Sequence, residues 1–313
     1  MKNVINYSDK TYEIYNYFST SLLNEAEIVV LPDINPGKAP LPTGSVVVFD
    51  VKNNAEEFLK YTVSDIGCGM FLAKSSLKQS DFDEQGWDNI ARTIKAHKGK
   101  LGDLGSGNHF LDAMVDTKTD ELYFLCHTGS RDESKKIQEL VNKEEYKEFH
   151  DLYAHTRAWA SDNRNTIIKF LEKEFGPLET IVHNDHNHYE IIDNKLIIRK
   201  GAVKVLPGEK TVIPSHMTGE AIVVSATNNI SKTFNSLSHG TGRVMSRSDA
   251  KNVSFDFDKD LREKIYIPKM IKNESLRTES PFVYRDIDTV IELLDDLIEV
   301  ESRLRPIAYI GQL

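Results

Sequence analysis

Chemistry in this 313-residue chain concentrates around its two cysteines and ten histidines. Four segments place them beside Gly, Asn or Ser at the ends of strand-like runs: DIGCGM (65–70), GSGNHF (105–110), CHTGSR (126–131) and HNDHNH (183–188). A fifth, SHGTGR (238–243), follows. Asp65 and Cys68 stand three apart around a glycine turn, which lets a carboxylate and a thiolate face one ion. Imidazoles from the other segments would complete one or two sites, and mixed S, N and O donors suit a borderline divalent ion such as Mn, Zn, Co or Fe. In SHGTGR the glycines let backbone N–H groups approach a phosphate closely, and Arg243 adds a fork of donors. A lone Cys is most often a small buried hydrophobe, and a glycine-rich hexapeptide most often a tight turn. Five such segments in one chain argue against the bland reading of all of them. In that company RKGA (199–202), two cations beside a glycine, reads as a phosphate contact.

The elements that must position these residues are legible as apolar patterns. Helices are expected over Thr11–Ala26, Asp81–His97 and Asp286–Arg305, and strands at Ser45–Val51, at Tyr61–Ala73 with a glycine break at Gly67 and Gly69, and at Glu121–His127. Glu133–Phe175 is charged with apolar residues at helical spacing and is stopped by Gly176-Pro177, so two helices are expected there. From Thr180 to Ala226 the pattern turns to strands: TIVHND, YEIID, KLIIRKGAVKV, TVIPS and EAIVVSA, with a last short strand at PIAYI. Strands and helices mix without regular alternation, which favours α+β over a doubly wound sheet. No linker divides the chain, so one domain over 1–313 is expected, with 133–177 as a helical insertion.

Lys plus Arg number 39 against 48 Asp plus Glu, a formal net charge of −9. A chain of that sign does not bind nucleic acid through bulk charge and needs a local basic groove or a metal to offset phosphates. Two cysteines do not make a disulfide framework, and a reducing cytoplasm is the expected location. No apolar run approaches the roughly 20 residues of a membrane helix, and no secretory leader is expected.

These residues carry a family resemblance. LPDINPGKAPLPTG (31–44), DIGCGM, LGSGNHF, HTGSR, HN followed by RKGA, IPSHMTG, SHGTGRVMSR (238–247) and PFVYRDID (281–288) occur in the order found in the RtcB-type RNA ligases, which the sequence resembles from about Leu31 to its C-terminus. The resemblance implies a mixed-sheet fold with a helical lobe and a central metal-binding cleft. It implies joining of RNA 3′-phosphate or 2′,3′-cyclic phosphate ends to 5′-hydroxyls, with Mn²⁺ as metal, GTP as co-substrate, broken tRNA-like RNA as substrate and an activating helper protein as a possible partner. Carried over position by position, it makes Asp65, Cys68, His109, His127 and a histidine of an HN pair the ligands of two ions, with Cys68 bridging. Two HN pairs compete, His183-Asn184 and His186-Asn187, and the run HNHYE favours His186. His239 matches the nucleophile that becomes guanylylated. Asn108, Asp112, Asn187, Ser215, Met217, Gly219, Gly240, Gly242, Arg243 and Tyr284 match the nucleotide-contacting positions.

The sequence also departs from the family. Ile310 stands where a guanine-contacting lysine is expected, Asp112 replaces a glutamate, and PSHMTG replaces Pro-Gly-Ser-Met-Gly. A related metal phosphoesterase that does not ligate, and a non-catalytic RNA-binding relative, remain alternatives.

Overall fold

Runs of β-branched and aromatic residues fold into three sheets, described for residues 3–35, 40–51, 55–130 and 133–313 of a computed structural model. Residues 36–39 of the early loop and Arg131 of HTGSR lie outside the described residues. In chain order the strands are β1 (Val4–Asn6), β2 (Glu27–Asn35), β3 (Thr43–Asp50), β4 (Gly69–Lys78), β5 (Phe110–Asp116), β6 (Glu121–Thr128) and β7 (Leu178–Asp185). There follow β8 (Asn187–Ile192), β9 (Lys195–Lys200), β10 (Ala202–Lys204), β11 (Lys210–Pro214), β12 (Ala221–Ala226), β13 (Ser236–Ser238) and β14 (Ile298–Ile310). One antiparallel sheet runs β11-β12-β14-β5-β6-β4-β7, a second runs β1-β2-β3-β9-β8, and β10 pairs with β13. The four longest helices of the first two-thirds are α1 (Thr20–Glu25), α2 (Glu84–Ala96), α3 (Ser134–Asn142) and α4 (Tyr146–Phe175). The α+β class expected from the sequence is the one observed.

Helix α2 starts because the Asp83 carboxylate accepts from the N–H groups of Gln85 and Gly86. It buries Trp87, Ile90, Ala91 and Ile94, one stripe at helical spacing. That stripe packs with Ile167, Leu171 and Phe175 of α4 against Phe71, Leu111 and Phe124 of the large sheet. Leu72, Leu125, Val223 and Leu304 form a second core on the sheet's other face. Strands sandwiched in this way are apolar on both sides, which is why their sequences read as continuous hydrophobic runs.

Register gathers the chemical segments. Gly69, the first residue of β4, pairs with Thr128 on one side and Asp185 on the other, and Phe110 of β5 pairs with His127. The residues next to these pairs are Cys68, His109, His127 and His186, so four distant segments end side by side. A Cβ on Gly69 would lie 2.1 Å from the Asn184 carbonyl oxygen, so only glycine permits this three-strand approach. The β10–β13 ladder pairs Ala202 with Ser238 and brings His239 beside Gly201.

Three expectations are corrected. The strand read over Tyr61–Ala73 begins only at Gly69: Tyr61 ends a 3₁₀ turn (Glu56–Tyr61), and the intervening residues turn around Gly67 to reach the strand. The helix read over Thr11–Ala26 is a 3₁₀ turn at Ile14–Tyr17 followed by the short α1, capped by Ser19. The helix read over Asp286–Arg305 ends at Leu293, and Ile298–Ile310 is one 13-residue strand of which PIAYI is only the end. Its register shifts between Pro306 and Ala308, consistent with proline's lack of an N–H for the ladder.

Candidate metal centre

Three buried donor atoms meet where those strands end. Cys68 Sγ lies 3.1 Å from His127 Nε2, and His127 Nε2 lies 3.2 Å from His186 Nε2. The three donors fall within 4.8 Å of one another, all on buried residues. His109 Nε2 approaches the same sulfur at 3.4 Å. The turn before β4 is held in place by backbone bonds: Cys68 N–H donates to Asp65 O at 3.0 Å, and His186 N–H to Cys68 O at 2.8 Å.

The tautomer of His127 follows from its other nitrogen. Nδ1 faces the Asn108 carbonyl oxygen at 3.0 Å, an acceptor only, so Nδ1 carries the proton and Nε2 presents a lone pair to the cluster. Burial pushes the pKa values of His127 and His186 well below that of free imidazole, which keeps both rings neutral and able to ligate. Burial, with the Asp65 carboxylate adding to it, pushes the Cys68 thiol up to about 12. A neutral imidazole pair and a thiol converging on one point fit a divalent cation, which deprotonates a coordinating thiol.

Asp65 shares the Cys68 turn but points elsewhere. Its Oδ2 accepts from Lys200 Nζ at 2.6 Å, and its side chain is 68% exposed, so it stands outside the Cys68–His127–His186 group. Burial would raise its pKa, but Lys200 outweighs that and holds it below the usual carboxylate value. Of the two competing histidines, the structure brings His186 to the cluster. His183 sits within β7, paired across to Phe71. Cys126 is buried in the hydrophobic core among Phe71, Leu111 and Phe124.

His239 stands at the edge of the cluster, its ring centroid 4.5 Å from that of His186 and 6.1 Å from that of His127. Its Nδ1 lies 2.5 Å from Asp33 Oδ2 and 3.0 Å from the Gly201 carbonyl oxygen. Both partners accept, so Nδ1 carries a proton, and in the neutral tautomer this leaves the lone pair at Nε2. Asp33 is fully buried on β2. Sequence reasoning assigned it no role. The available signal was a carboxylate embedded in the apolar run VVLPDI (29–34), where burial demands a partner.

Asp33, Asp65, Cys68, His109, His127, His186, Lys200 and His239 line a single cavity of about 1260 Å³. Asn108, Asp112, Asn187, Ser215, Met217, Gly219, Gly240, Gly242, Arg243 and Tyr284 line it too. Their states differ. Asp112 Oδ1 is buried without a hydrogen-bond partner among the described residues, and desolvation raises its pKa well above the normal value. Arg243 Nη1 donates to Glu279 at 3.1 Å, its guanidinium lies over the Tyr284 ring, and the Tyr284 hydroxyl donates to the same carboxylate. Ser215 Oγ donates to the Glu220 carbonyl at 2.6 Å.

Three expectations change here. Asn187 spends its amide on the scaffold, accepting from Gly201 N–H at 2.7 Å and donating to Asp65 O at 3.1 Å, so it acts as a strut in the cavity wall. Arg199 of RKGA is buried on Glu190 at 2.7 Å, on Ser236 and on the Phe234 carbonyl, which leaves it no fork for a phosphate. Ile310 is fully buried in the core against Leu111, and the chain end reaches the cavity through Tyr309, Gln312 and Leu313 instead.

Sulfur and imidazole donors gathered at the strand ends of a mixed α+β fold define a candidate metal-binding protein, and comparison with known proteins places it more closely. The family model described as tRNA-splicing ligase RtcB matches residues 140–312, more than half of the chain. The chain belongs to the RtcB family. It is 25% identical to RNA-splicing ligase RtcB of Escherichia coli K12 over 90% of its length and 88% of that protein's. It is 26% identical to tRNA-splicing ligase RtcB of Nanoarchaeum equitans over 71% of its length and 62% of that protein's. It is 25% identical to tRNA-splicing ligase RtcB of Pyrococcus furiosus over 66% of its length and 29% of that protein's.

Proposed function

We propose that the chain is a metal- and GTP-dependent RNA ligase that joins 3′-phosphate or 2′,3′-cyclic phosphate ends to 5′-hydroxyl ends through a histidine–GMP intermediate. The observation that carries this reading is the adjacency of His239 to the Cys68–His127–His186 cluster inside one nucleotide-sized cavity. Neutral His239, with Nδ1–H committed to Asp33 and Gly201, attacks the α-phosphorus of GTP through Nε2. A phosphoramidate bond forms, the bond to the β-phosphate oxygen breaks, and pyrophosphate leaves. The buried Asp33 carboxylate stabilises the imidazolium that develops. A 2′,3′-cyclic end is first opened by water at its 2′-ester bond, which leaves a 2′-hydroxyl and a 3′-phosphate. The 3′-phosphate then attacks the phosphoramidate and frees His239, and the 5′-hydroxyl attacks the activated 3′-phosphorus, loses its proton and displaces GMP to form the phosphodiester.

Cys68, His127 and His186 would hold one divalent ion, with His109 meeting the same sulfur from a second position. Divalent ions bound there, Mn²⁺ in this reading, would neutralise phosphate charge that a chain of net charge −9 does not offset in bulk. Lys200 and Arg247, both lining the cavity, supply further positive charge. No helix among the described residues is long and apolar enough to cross a membrane.

The test is a gel assay with two RNAs, one ending in a 2′,3′-cyclic phosphate and one beginning with a 5′-hydroxyl, plus Mn²⁺ and GTP. A joined product that disappears in His239→Ala supports ligation. Opening of the cyclic phosphate without joining, whichever nucleotide is supplied, would reassign the site to phosphoester hydrolysis.

A further inference from the structure

Helix α4 buries Phe149, Tyr153, Ala160, Ile167 and Leu171, as an amphipathic helix should, but the same stripe also buries Asn163 and Arg164. Charged side chains are rarely fully buried without a carboxylate partner. Arg164 is 2% exposed, yet its Nη1 donates to two carbonyl oxygens, Gly67 at 2.9 Å and Thr128 at 3.2 Å, while its buried Nε has no partner among the described residues. Those carbonyls belong to the residues next to Cys68 and His127.

Neighbouring positions do the same for the other segments. Asn163, fully buried, accepts from Gly102 N–H at 2.7 Å and donates to Asp103 O at 2.8 Å, in the loop that leads to His109. Arg157 forms a two-pronged ion pair with Asp185, the residue before His186. Between them the Gly67 backbone presses on the helix, where an added Cβ would stand 3.0 Å from Ala160 Cβ. Residues 157, 160, 163 and 164 share one face of a 3.6-residue helix. The helix therefore touches the residues next to Cys68, His127 and His186, and the loop that leads to His109.

We propose that this face of α4 is a positioning spine for the metal centre, with Arg164 as its central member tying the Cys68 turn to the His127 strand end. The inference rests on the metal reading of the cluster. It makes the helical segment part of the site's scaffold. A planar guanidinium suits the task because it bridges two carbonyls in fixed directions, which a lysine ammonium does not.

The experiment uses the full-length chain, stripped with chelator and titrated with Co²⁺, following the near-ultraviolet thiolate-to-cobalt absorption and the apparent affinity. Wild type should show a band that Cys68→Ala lacks. Arg164→Ala should keep its circular dichroism and elution volume, lose about 10–100-fold in Co²⁺ affinity, and weaken the band. Added guanidinium ion at low millimolar concentration should restore the band, and Arg164→Lys should restore it only in part. Arg157→Ala, a change at a half-exposed side chain that does not endanger the core, should lower Co²⁺ affinity as well. Wild-type affinity and absorption in Arg164→Ala overturn the spine. Should Arg164→Ala fail to fold, wild-type affinity in Arg157→Ala overturns it. Absence of any Cys68-dependent band in wild type overturns the metal reading, and the spine with it.

Discussion

His239 and His127 show how a single hydrogen bond decides what an imidazole can do. Each gives its Nδ1 proton to a pure acceptor, and each is left with a lone pair at Nε2 aimed into the same cavity. For His239 that acceptor is a buried carboxylate. Asp33→Asn keeps the shape but offers an N–H where an acceptor is required, so it favours the wrong tautomer. The expected result is a loss of roughly 10³-fold or more in the rate of His239 labelling by GTP, by analogy with the carboxylate of a hydrolase triad, with thermal stability little changed. Cys68→Ala should abolish activity, because it removes the sulfur that both His109 and His127 approach, while leaving only a small cavity that costs about 1 kcal/mol. Full activity in that variant would contradict a shared thiolate. At this scale the sequence was informative for residues with distinctive neighbours: Cys68, His109, His127 and His186 stand in glycine- or asparagine-bearing turns, and the structure brings them together. Asp33 carried a local hint of burial in its apolar run but none of its partner 206 positions away, and nothing local marked Arg164, whose carbonyl partner at Gly67 lies 97 positions away.

Elements matter here through where they end. β4, β6 and β7 stop within a residue of one another only because Gly69 lets the three backbones close up. Gly69→Ala forces a methyl group into the Asn184 carbonyl and should destabilise the fold by about 1–3 kcal/mol, read as a lowered midpoint in urea denaturation. An unchanged midpoint would mean that the strand ends are looser than their register implies. Most strands were visible as apolar runs, and the helices α2 and α4 as 3.6-residue periodicity with identifiable stops. β14 was not. Its first half, LIEVESRL (297–304), mixes charges with apolar residues in a way that fits one helical face as well as a half-buried strand, and only pairing with β12 and β5 decides between them. The early helix failed for the opposite reason. Tyr12, Tyr17 and Leu23 pack on the five-stranded sheet's core from a bend, a 3₁₀ turn and the short α1, and together their spacing imitates one continuous helix.

For the molecule as a whole, buried neutral imidazoles set the acid limit. His127 and His186 have folded pKa values well below 6.5, and His216 is lowered to about 4, in each case chiefly by desolvation. The unfolded chain takes up these protons first, so the stability they contribute is complete above about pH 6.5 and is lost as pH falls from there toward the folded values. His216 alone accounts for about 2 kcal/mol of loss by pH 5. Asp112 acts in the opposite sense, since its raised folded pKa favours the native state as pH falls toward 3.8, but it is one group against three. The metal-free chain should therefore show a lower urea midpoint at pH 5.0 than at pH 7.5. Equal midpoints would mean that these rings are solvated.

The account as a whole depends on His239 being a nucleophile toward a nucleoside triphosphate. The most direct measurement is to incubate the full chain with Mn²⁺ and GTP labelled at the α-phosphate, and then to follow label on the protein through denaturation, acid and alkali. The account predicts covalent label that is stable to alkali, lost in mild acid as a phosphoramidate should be, and missing from His239→Ala. No label with any nucleoside triphosphate, or undiminished label in His239→Ala, would contradict it.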